Sequence, residues 1–170
     1  HLYLRFSVED CFRTPLADTF RIYDAIYPYI NTFGMPDTVG VAIPALVKHH
    51  VAALKKRYPR ALLECHFHND RGMSLINTLT AIEAGATFVD TSIWGMAERS
   101  GITSLTGILL NLFFEHKEIC NKYHLENCYP TNVLMGSILK LHVPYNEPVS
   151  LTNRTHTAGV HQKAVINNHG

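Results

Sequence analysis

Four short strand-like runs, each followed by a helical pattern, constrain the fold of this chain more than any other feature. The runs are Leu2 to Val8, about Asn31 to Met35, Ala61 to Phe67 and Thr87 to Ser92. Their spacing of about 30 residues is the length of one strand–helix unit. Strict alternation of strand and helix predicts a parallel sheet. Four units suit either a small open doubly wound sheet or half of a (β/α)8 barrel.

Helical patterns fill the intervals between the runs. We predict that the first helix is capped by Thr14 and has Pro15 at its first position. The third is closed by Gly85. The predicted helices span about 15–29, 44–57, 73–84 and 102–115. Beyond residue 116 the alternation stops and two helical stretches follow, at about 117–124 and 131–142. This predicts an α/β domain over 1–117 and a helical subdomain over 118–170.

Composition excludes several classes of protein. The 170 residues carry a formal net charge of +1 with scattered basic residues, which argues against a nucleic-acid groove. No apolar stretch approaches the roughly 20 residues of a membrane span, and the first residues lack the apolar core of a signal peptide. The four cysteines form no CxxC pair, which is typical of reduced thiols in a cytoplasmic protein. Both ends of the chain are interpreted as cut.

Polar residues gather toward the end of each predicted strand. Alternate residues of a strand share a face. On the third predicted strand, Glu64, His66 and His68 therefore lie on one face, and on the first strand Arg5, Ser7 and Glu9 do. A buried parallel strand is ordinarily an almost continuous apolar run. In parallel α/β proteins the chemistry lies at the carboxyl ends of the strands, so this pattern predicts a functional pocket.

His66 and His68 are the strongest candidate for a metal site. Two imidazoles two residues apart on a strand, roughly 7 Å between Cα atoms, can meet one cation. The alternative is a hydrogen-bonded pair of structural histidines. Two neutral ligands make an incomplete site, so a carboxylate from elsewhere is expected. Zinc or a harder cation with open positions fits such a mixed ligand set.

The charged neighbours leave alternatives open. Glu64 either orients a ligand imidazole or balances the charge of the cation. Arg5 is either neutralised by Glu9 or clamps a substrate carboxylate with its planar guanidinium.

Three further places carry candidate residues. Thr38 either offers its hydroxyl to a carboxylate or caps the entry of the next helix. Glu98 and Arg99, in the loop after the last strand, are either part of the pocket or a solvated ion pair. The tail histidines His156 and His161 are idle on composition alone.

Seven segments follow one another in a recognisable order, and six of them lie in the first 103 residues. They are RFSVED from Arg5, DTVG from Asp37, ECHFHND from Glu64, EAGAT from Glu83, DTS from Asp90, GMAERSGIT from Gly95 and TAGVHQKA from Thr157. Together they resemble the homocitrate synthase and isopropylmalate synthase family of metal-dependent acyl-CoA-condensing enzymes. The resemblance covers nearly the whole chain.

The resemblance implies strands five to eight of a (β/α)8 TIM barrel, followed by a truncated helical subdomain. It implies an acyltransferase that condenses acetyl-CoA with a 2-oxo acid, 2-oxoglutarate being favoured, in lysine-type amino-acid biosynthesis. Isopropylmalate, citramalate and Re-type citrate synthases are the alternatives. A divalent metal (Zn, Mn or Mg), a homodimer and a cytoplasmic location are part of the expectation.

The resemblance also assigns roles to residues. His66 and His68 are expected to hold the metal, and His161 of the subdomain is expected to be catalytic, with Glu64 given a catalytic role beside it. The 2-oxo acid is expected against a further set: Arg5, Ser7, Thr38 and the adjoining Glu9.

Two departures from the family pattern carry consequences. The Arg-Asp-Gly element at the end of the family's first strand is not in this sequence, so the acidic metal ligand and an arginine are expected outside this chain, which alone is predicted to be inactive. Arg71 places a cation beside the metal-binding loop. A non-catalytic half-barrel that binds a ligand or partner is therefore a rival hypothesis, and an aldolase or lyase on the same barrel fits less well.

Overall fold

The structure, a computed structural model, describes residues 2–152 and, in the tail, residues 155, 158, 162, 163 and 166. It divides into two compact units, His1–Tyr123 and His124–Gly170. The assignment of 1–117 to half of a catalytic barrel and of 118–170 to a truncated subdomain stays a prediction.

A four-stranded parallel sheet forms the centre of the first unit, which confirms the predicted α/β fold. Its strands are β1 (Arg5–Ser7), β2 (Thr32–Asp37), β3 (Leu62–Phe67) and β4 (Phe88–Val89), in the spatial order β1-β2-β3-β4. A doubly wound sheet reverses its strand order at a switch point. No reversal occurs across these four strands, which argues against the doubly wound alternative.

β4 is much shorter than the predicted run of Thr87 to Ser92. Only Phe88 and Val89 pair with β3, opposite Glu64 and Cys65. The backbone of Ser92 instead donates to the carbonyl of Thr103 at 3.1 Å, so the chain has already turned away from the sheet.

In the described part of this unit, five α-helices accompany the sheet: α1 (Leu16–Ile26), α2 (Pro44–Arg57), α3 (Ser74–Glu83), α4 (Leu105–Glu115) and the short α5 (Lys117–Cys120). The predicted cap of α1 is wrong. Pro15, with extended backbone, is the residue that precedes the helix, and the Thr14 hydroxyl donates to the Asp10 carbonyl at 2.9 Å instead. α1 passes into a single 3-10 turn at Tyr27–Tyr29, because Pro28 has no N–H with which to continue the helix.

One face of the sheet packs into the hydrophobic core. Leu63, Cys65 and Phe67 of β3 are buried there, as the alternation predicts, and so are Phe33 and Met35 of β2. Since successive side chains point to opposite faces, this packing sends Glu64 and His66 to the other side of the sheet.

The second unit contains a 3-10 turn (Leu125–Asn127) and α6 (Cys128–Leu139), which begins three residues before the predicted helix. The buried Asn132 amide donates to the Glu147 carboxylate at 3.2 Å and to the Val149 carbonyl at 3.0 Å. Among the described residues of both units, no helix has the length and apolar character that crossing a bilayer requires.

Candidate metal centre

The structure brings the two predicted histidine ligands together. The Nε2 atoms of His66 and His68 are 3.2 Å apart, and the ring centroids are 4.8 Å apart at an angle of 71°. His66 lies in β3, and His68 follows the strand and forms an isolated bridge with Ile102. Two residues of extended backbone therefore direct both imidazoles to one point at the carboxyl end of β3.

The spacing and donor set fit a divalent cation. Two nitrogens that each lie about 2.0–2.1 Å from zinc, at angles between roughly 90° and 109°, are separated by about 2.8–3.4 Å. The observed 3.2 Å falls within this range. His68 is buried, and its Nδ1 has no hydrogen-bond partner among the described residues. No group of three or more His, Cys, Asp or Glu side chains suited to a metal occurs within the described part of the chain.

Two carboxylates stand beside the imidazoles. Asp90 Oδ2 accepts a hydrogen bond from His66 Nδ1 at 2.9 Å. Glu98 Oε1 lies 3.7 Å from His68 Nε2 on an exposed side chain. No local pattern gives Asp90 a role, because its position next to His66 follows only from the pairing of β3 with β4.

Arg5 forms an ion pair with Glu64, which corrects the predicted alternative of a pair with Glu9. Arg5 Nε donates to Glu64 Oε2 at 2.7 Å, and Arg5 Nη2 contacts Oε1 of the same carboxylate. This hydrogen bonding raises the pKa of Arg5. Glu9 is exposed in the turn after β1. The contacts of Glu64 are thus to Arg5, while His66 is oriented by Asp90.

Gly34 makes the Arg5–Glu64 pair possible, although Gly34 is not among the predicted site residues. β2 separates β1 from β3, and Gly34 is the register partner of both Ser7 and Glu64. A Cβ atom on Gly34 would lie 2.6 Å from Ser7 Oγ and 3.2 Å from Arg5 Nη2. The glycine therefore leaves the space through which Arg5 crosses β2. A glycine inside a strand was the available signal, since it often marks a close approach of other groups.

Thr38 lies in the loop after β2 and does not cap a helix. Its Oγ1 accepts a hydrogen bond from the backbone N–H of Asp10 at 2.8 Å, and α2 begins later, after Ile43. The preceding Asp37 is buried and accepts hydrogen bonds from the backbone N–H groups of Val41 and Ala42. Burial raises the pKa of Asp37. The loop is thus held by its own side chains beside the end of β1.

Arg99 connects the loops that follow β2, β3 and β4. Its guanidinium donates to both carboxylate oxygens of Asp70, at 2.8 and 3.0 Å, and to the carbonyl of Thr38 at 2.9 Å. The predicted pair with Glu98 is present at 3.3 Å, but the contacts to the other loops were not predicted. The Arg99 side chain lowers the pKa of Asp70 by hydrogen bonding.

The structure describes the predicted residue Arg71 but not His161. The Arg71 guanidinium donates to the Val41 carbonyl at 3.0 Å, so its described hydrogen bond is to the loop after β2. His161 and most of the TAGVHQKA segment lie outside the described residues.

The sequence profile of the HMGL-like family matches residues 2–134. The chain belongs to the HMGL-like family. A mitochondrial homocitrate synthase of Yarrowia lipolytica is 38% identical over 168 residues, covering 97% of this chain and 37% of that protein. The cytosolic homocitrate synthase isozyme of Saccharomyces cerevisiae is 36% identical, covering 97% and 39%. A 2-isopropylmalate synthase of Blochmanniella floridana is 31% identical, covering 97% and 33%.

These relatives confirm the predicted resemblance to the homocitrate synthase and isopropylmalate synthase family. The chain spans between about a third and two fifths of the length of these relatives. An HMG-CoA lyase of Acinetobacter baumannii, solved with coenzyme A and 3-methylmalate, superposes with a TM-score of 0.72 at 21% identity. This match covers 91% of this chain and 54% of that chain, and it shows the HMGL-like α/β fold.

Proposed function

We propose that the protein carrying this chain is an acyltransferase of the homocitrate synthase type. It joins the methyl carbon of acetyl-CoA to the keto carbon of a 2-oxo acid, and water then cleaves the thioester to release coenzyme A. The names of the relatives and the HMGL-like membership support this reaction class. The observation that carries the proposal is the pair of imidazole nitrogens 3.2 Å apart at the end of β3.

His66 and His68 would hold the divalent metal, which is Zn, Mn or Mg. When bound, the metal supplies Lewis acidity to the keto oxygen of the substrate. Two imidazoles alone make an incomplete ligand set, so the proposal includes a carboxylate ligand from outside the described residues. Glu64, which forms the ion pair with Arg5, is proposed to have a catalytic role.

Arg5 is the proposed clamp for the carboxylate of the 2-oxo acid. Its side chain is 44% exposed, so its remaining N–H groups are accessible to a ligand. Ser7 lies next to Arg5 at Gly34, and Thr38 and Glu9 belong to the loops at the same end of the sheet. These three residues are the other proposed contacts of the 2-oxo acid. His161 is proposed to take part in proton removal from the acetyl methyl group.

The larger assembly is also a proposal. We assign the four strands to positions five to eight of a (β/α)8 barrel, and we propose a homodimer in the cytoplasm with a role in lysine-type biosynthesis. Cell fractionation tests the cytoplasmic location, since one homocitrate synthase relative is named mitochondrial and another cytosolic.

A condensing assay with a panel of 2-oxo acids tests the proposal. The intact protein is supplied with Zn²⁺, Mn²⁺ or Mg²⁺, acetyl-CoA and one of 2-oxoglutarate, 3-methyl-2-oxobutanoate, pyruvate or oxaloacetate, and the released thiol is measured. Highest kcat/KM with 2-oxoglutarate supports homocitrate synthase. Preference for 3-methyl-2-oxobutanoate supports the isopropylmalate alternative, for which the 31% identical 2-isopropylmalate synthase is the precedent.

Two matched variants separate the metal site from general damage. His66→Ala removes a proposed ligand and is expected to abolish metal-dependent turnover. His49→Ala changes an exposed histidine on α2 and should leave turnover unchanged. Full activity of the His66 variant, or thiol release from none of the four acids, contradicts the proposal.

A further inference from the structure

We propose that Asp90 is a positioning residue that fixes the tautomer of His66 and so directs the Nε2 lone pair to the metal. This inference rests on the proposed metal site. It assigns a role to a carboxylate that the proposed function leaves without one.

The backbone holds Asp90 next to His66. Val89 is the register partner of Cys65, so the next residue of each strand comes side by side. The N–H of Asp90 donates to the Cys65 carbonyl at 3.0 Å, which anchors its main chain although β4 has ended. From this position the Asp90 carboxylate meets His66 Nδ1 at 2.9 Å.

The chemistry of a carboxylate determines which nitrogen of His66 carries the proton. An ionised carboxylate has acceptors and no donors, so the hydrogen bond requires a proton on Nδ1. The neutral ring then has its lone pair on Nε2, the atom that faces His68. A partner able to donate as well as accept would leave the tautomer undetermined.

No other described carboxylate takes this role for either imidazole. Glu64, two residues before His66 on the same strand face, is bound to Arg5. His68 Nδ1 has no partner within the described residues, and burial holds this ring instead. The two ligands are therefore oriented differently, one by a hydrogen bond and the other by packing. Carboxylates in this position also increase the basicity of a ligand imidazole.

The test combines tautomer and affinity measurements on the intact protein. In the metal-free wild-type protein labelled with ¹⁵N-histidine, long-range ¹H–¹⁵N NMR spectra are expected to show His66 protonated at Nδ1. In Asp90→Ala the Nε2-protonated form should appear. Zn²⁺ affinity, measured by competition with a chelating dye, is expected to fall by about 10- to 100-fold.

Three further variants complete the design. Asp90→Asn keeps the shape of the side chain and serves if the alanine variant does not fold, with an expected loss of Zn²⁺ affinity of about tenfold. Asp90→Glu should recover the tautomer and part of the affinity. Asp18→Asn, on the exposed surface of α1, is the matched control and should behave as wild type.

The outcomes distinguish this inference from the proposed function. If His66 stays protonated at Nδ1 in both Asp90→Ala and Asp90→Asn, or if their Zn²⁺ affinities stay within about twofold of wild type, the positioning role is overturned. If the wild-type protein shows the expected tautomer but binds no Zn²⁺, Mn²⁺ or Mg²⁺, the proposed metal site fails while the hydrogen bond from His66 to Asp90 stands.

Discussion

Replacement of Tyr23 by phenylalanine should destabilise the protein without opening a cavity. The Tyr23 ring is fully buried in α1 and stacks on Phe33, with centroids 4.2 Å apart and planes 12° apart. Its hydroxyl donates to the Gly34 carbonyl at 2.6 Å and accepts a hydrogen bond from the backbone of Val8. The last paired residues of β1 and β2 are Ser7 and Gly34, so the hydroxyl bridges the two strands where their pairing stops.

The size of the stability loss in Tyr23→Phe follows from the backbone groups that lose their hydrogen-bond partner. A buried polar group left unsatisfied costs about 1–3 kcal/mol. The Gly34 carbonyl is buried and takes this cost, whereas Val8 is only half-buried and water can replace part of its hydrogen bond. We therefore expect Tyr23→Phe to lower the free energy of unfolding by about 2–3 kcal/mol. Since phenylalanine keeps the ring, packing against Phe33 is retained.

Urea unfolding followed by circular dichroism measures this change. The midpoint should fall by about 1 M at an unchanged slope, given slopes of about 1–3 kcal/mol per M. Tyr29→Phe is the matched control, because its side chain is 74% exposed, and its effect should stay within about 0.5 kcal/mol. A loss below about 0.5 kcal/mol in Tyr23→Phe would refute the bridging role of the hydroxyl.

Three other predictions address the site and the pH dependence. Gly34→Ala should displace Arg5 and raise KM for the 2-oxo acid on the order of tenfold or more, measured by the thiol-release assay. Arg99 holds both carboxylate oxygens of Asp70, which follows the proposed ligand His68 by two residues. Lysine cannot make this two-point contact, so Arg99→Lys should loosen the loop beside His68 and lower Zn²⁺ affinity about tenfold in dye competition. Burial lowers the pKa of His50 below 6.5, so the unfolded chain takes up its proton first and stability falls as the pH drops from about 6.5 toward the depressed folded value. His50→Leu should flatten thermal stability over this window, whereas His49→Leu, at an exposed position, should not.

The sheet and the side of β3 that carries the site were predictable because both depend on local periodicity. The alternation from Leu62 to Phe67 places one set of side chains in the core and the other on the half-buried face that carries His66, whatever the neighbouring strands do. α2 was predicted at its observed bounds, Pro44–Arg57, since a proline favours the first turn and Pro59 follows its end. By contrast, the short length of β4 depends on a turn toward Thr103, which no local pattern indicates.

The partners of the charged residues could not be predicted from local sequence. Glu9 is nearer to Arg5 in the chain than Glu64 is, but strand register places Glu64 across Gly34 from the first strand. In the same way, Glu64 is nearer to His66 in the chain than Asp90 is, yet Asp90 makes the hydrogen bond. The partners of Arg5 and His66 are thus set by which strands are neighbours and by their register, and both are fixed only when the sheet forms.

The ion pair with Glu64 allows Arg5 to be neutralised by a carboxylate of the protein and still bind a substrate carboxylate. A guanidinium has five N–H donors, and the contacts to Glu64 use Nε and one donor on Nη2. Three donors therefore remain for a carboxylate of the 2-oxo acid, so the same side chain can be neutralised and bind substrate at once. The fixed pair also limits the rotation of the guanidinium, which reduces the entropy lost when substrate binds. Glu64→Gln should accordingly raise KM for the 2-oxo acid more than it lowers kcat, measured by thiol release. An equal loss in kcat and kcat/KM would instead favour the catalytic role proposed for Glu64 and contradict this positioning of Arg5.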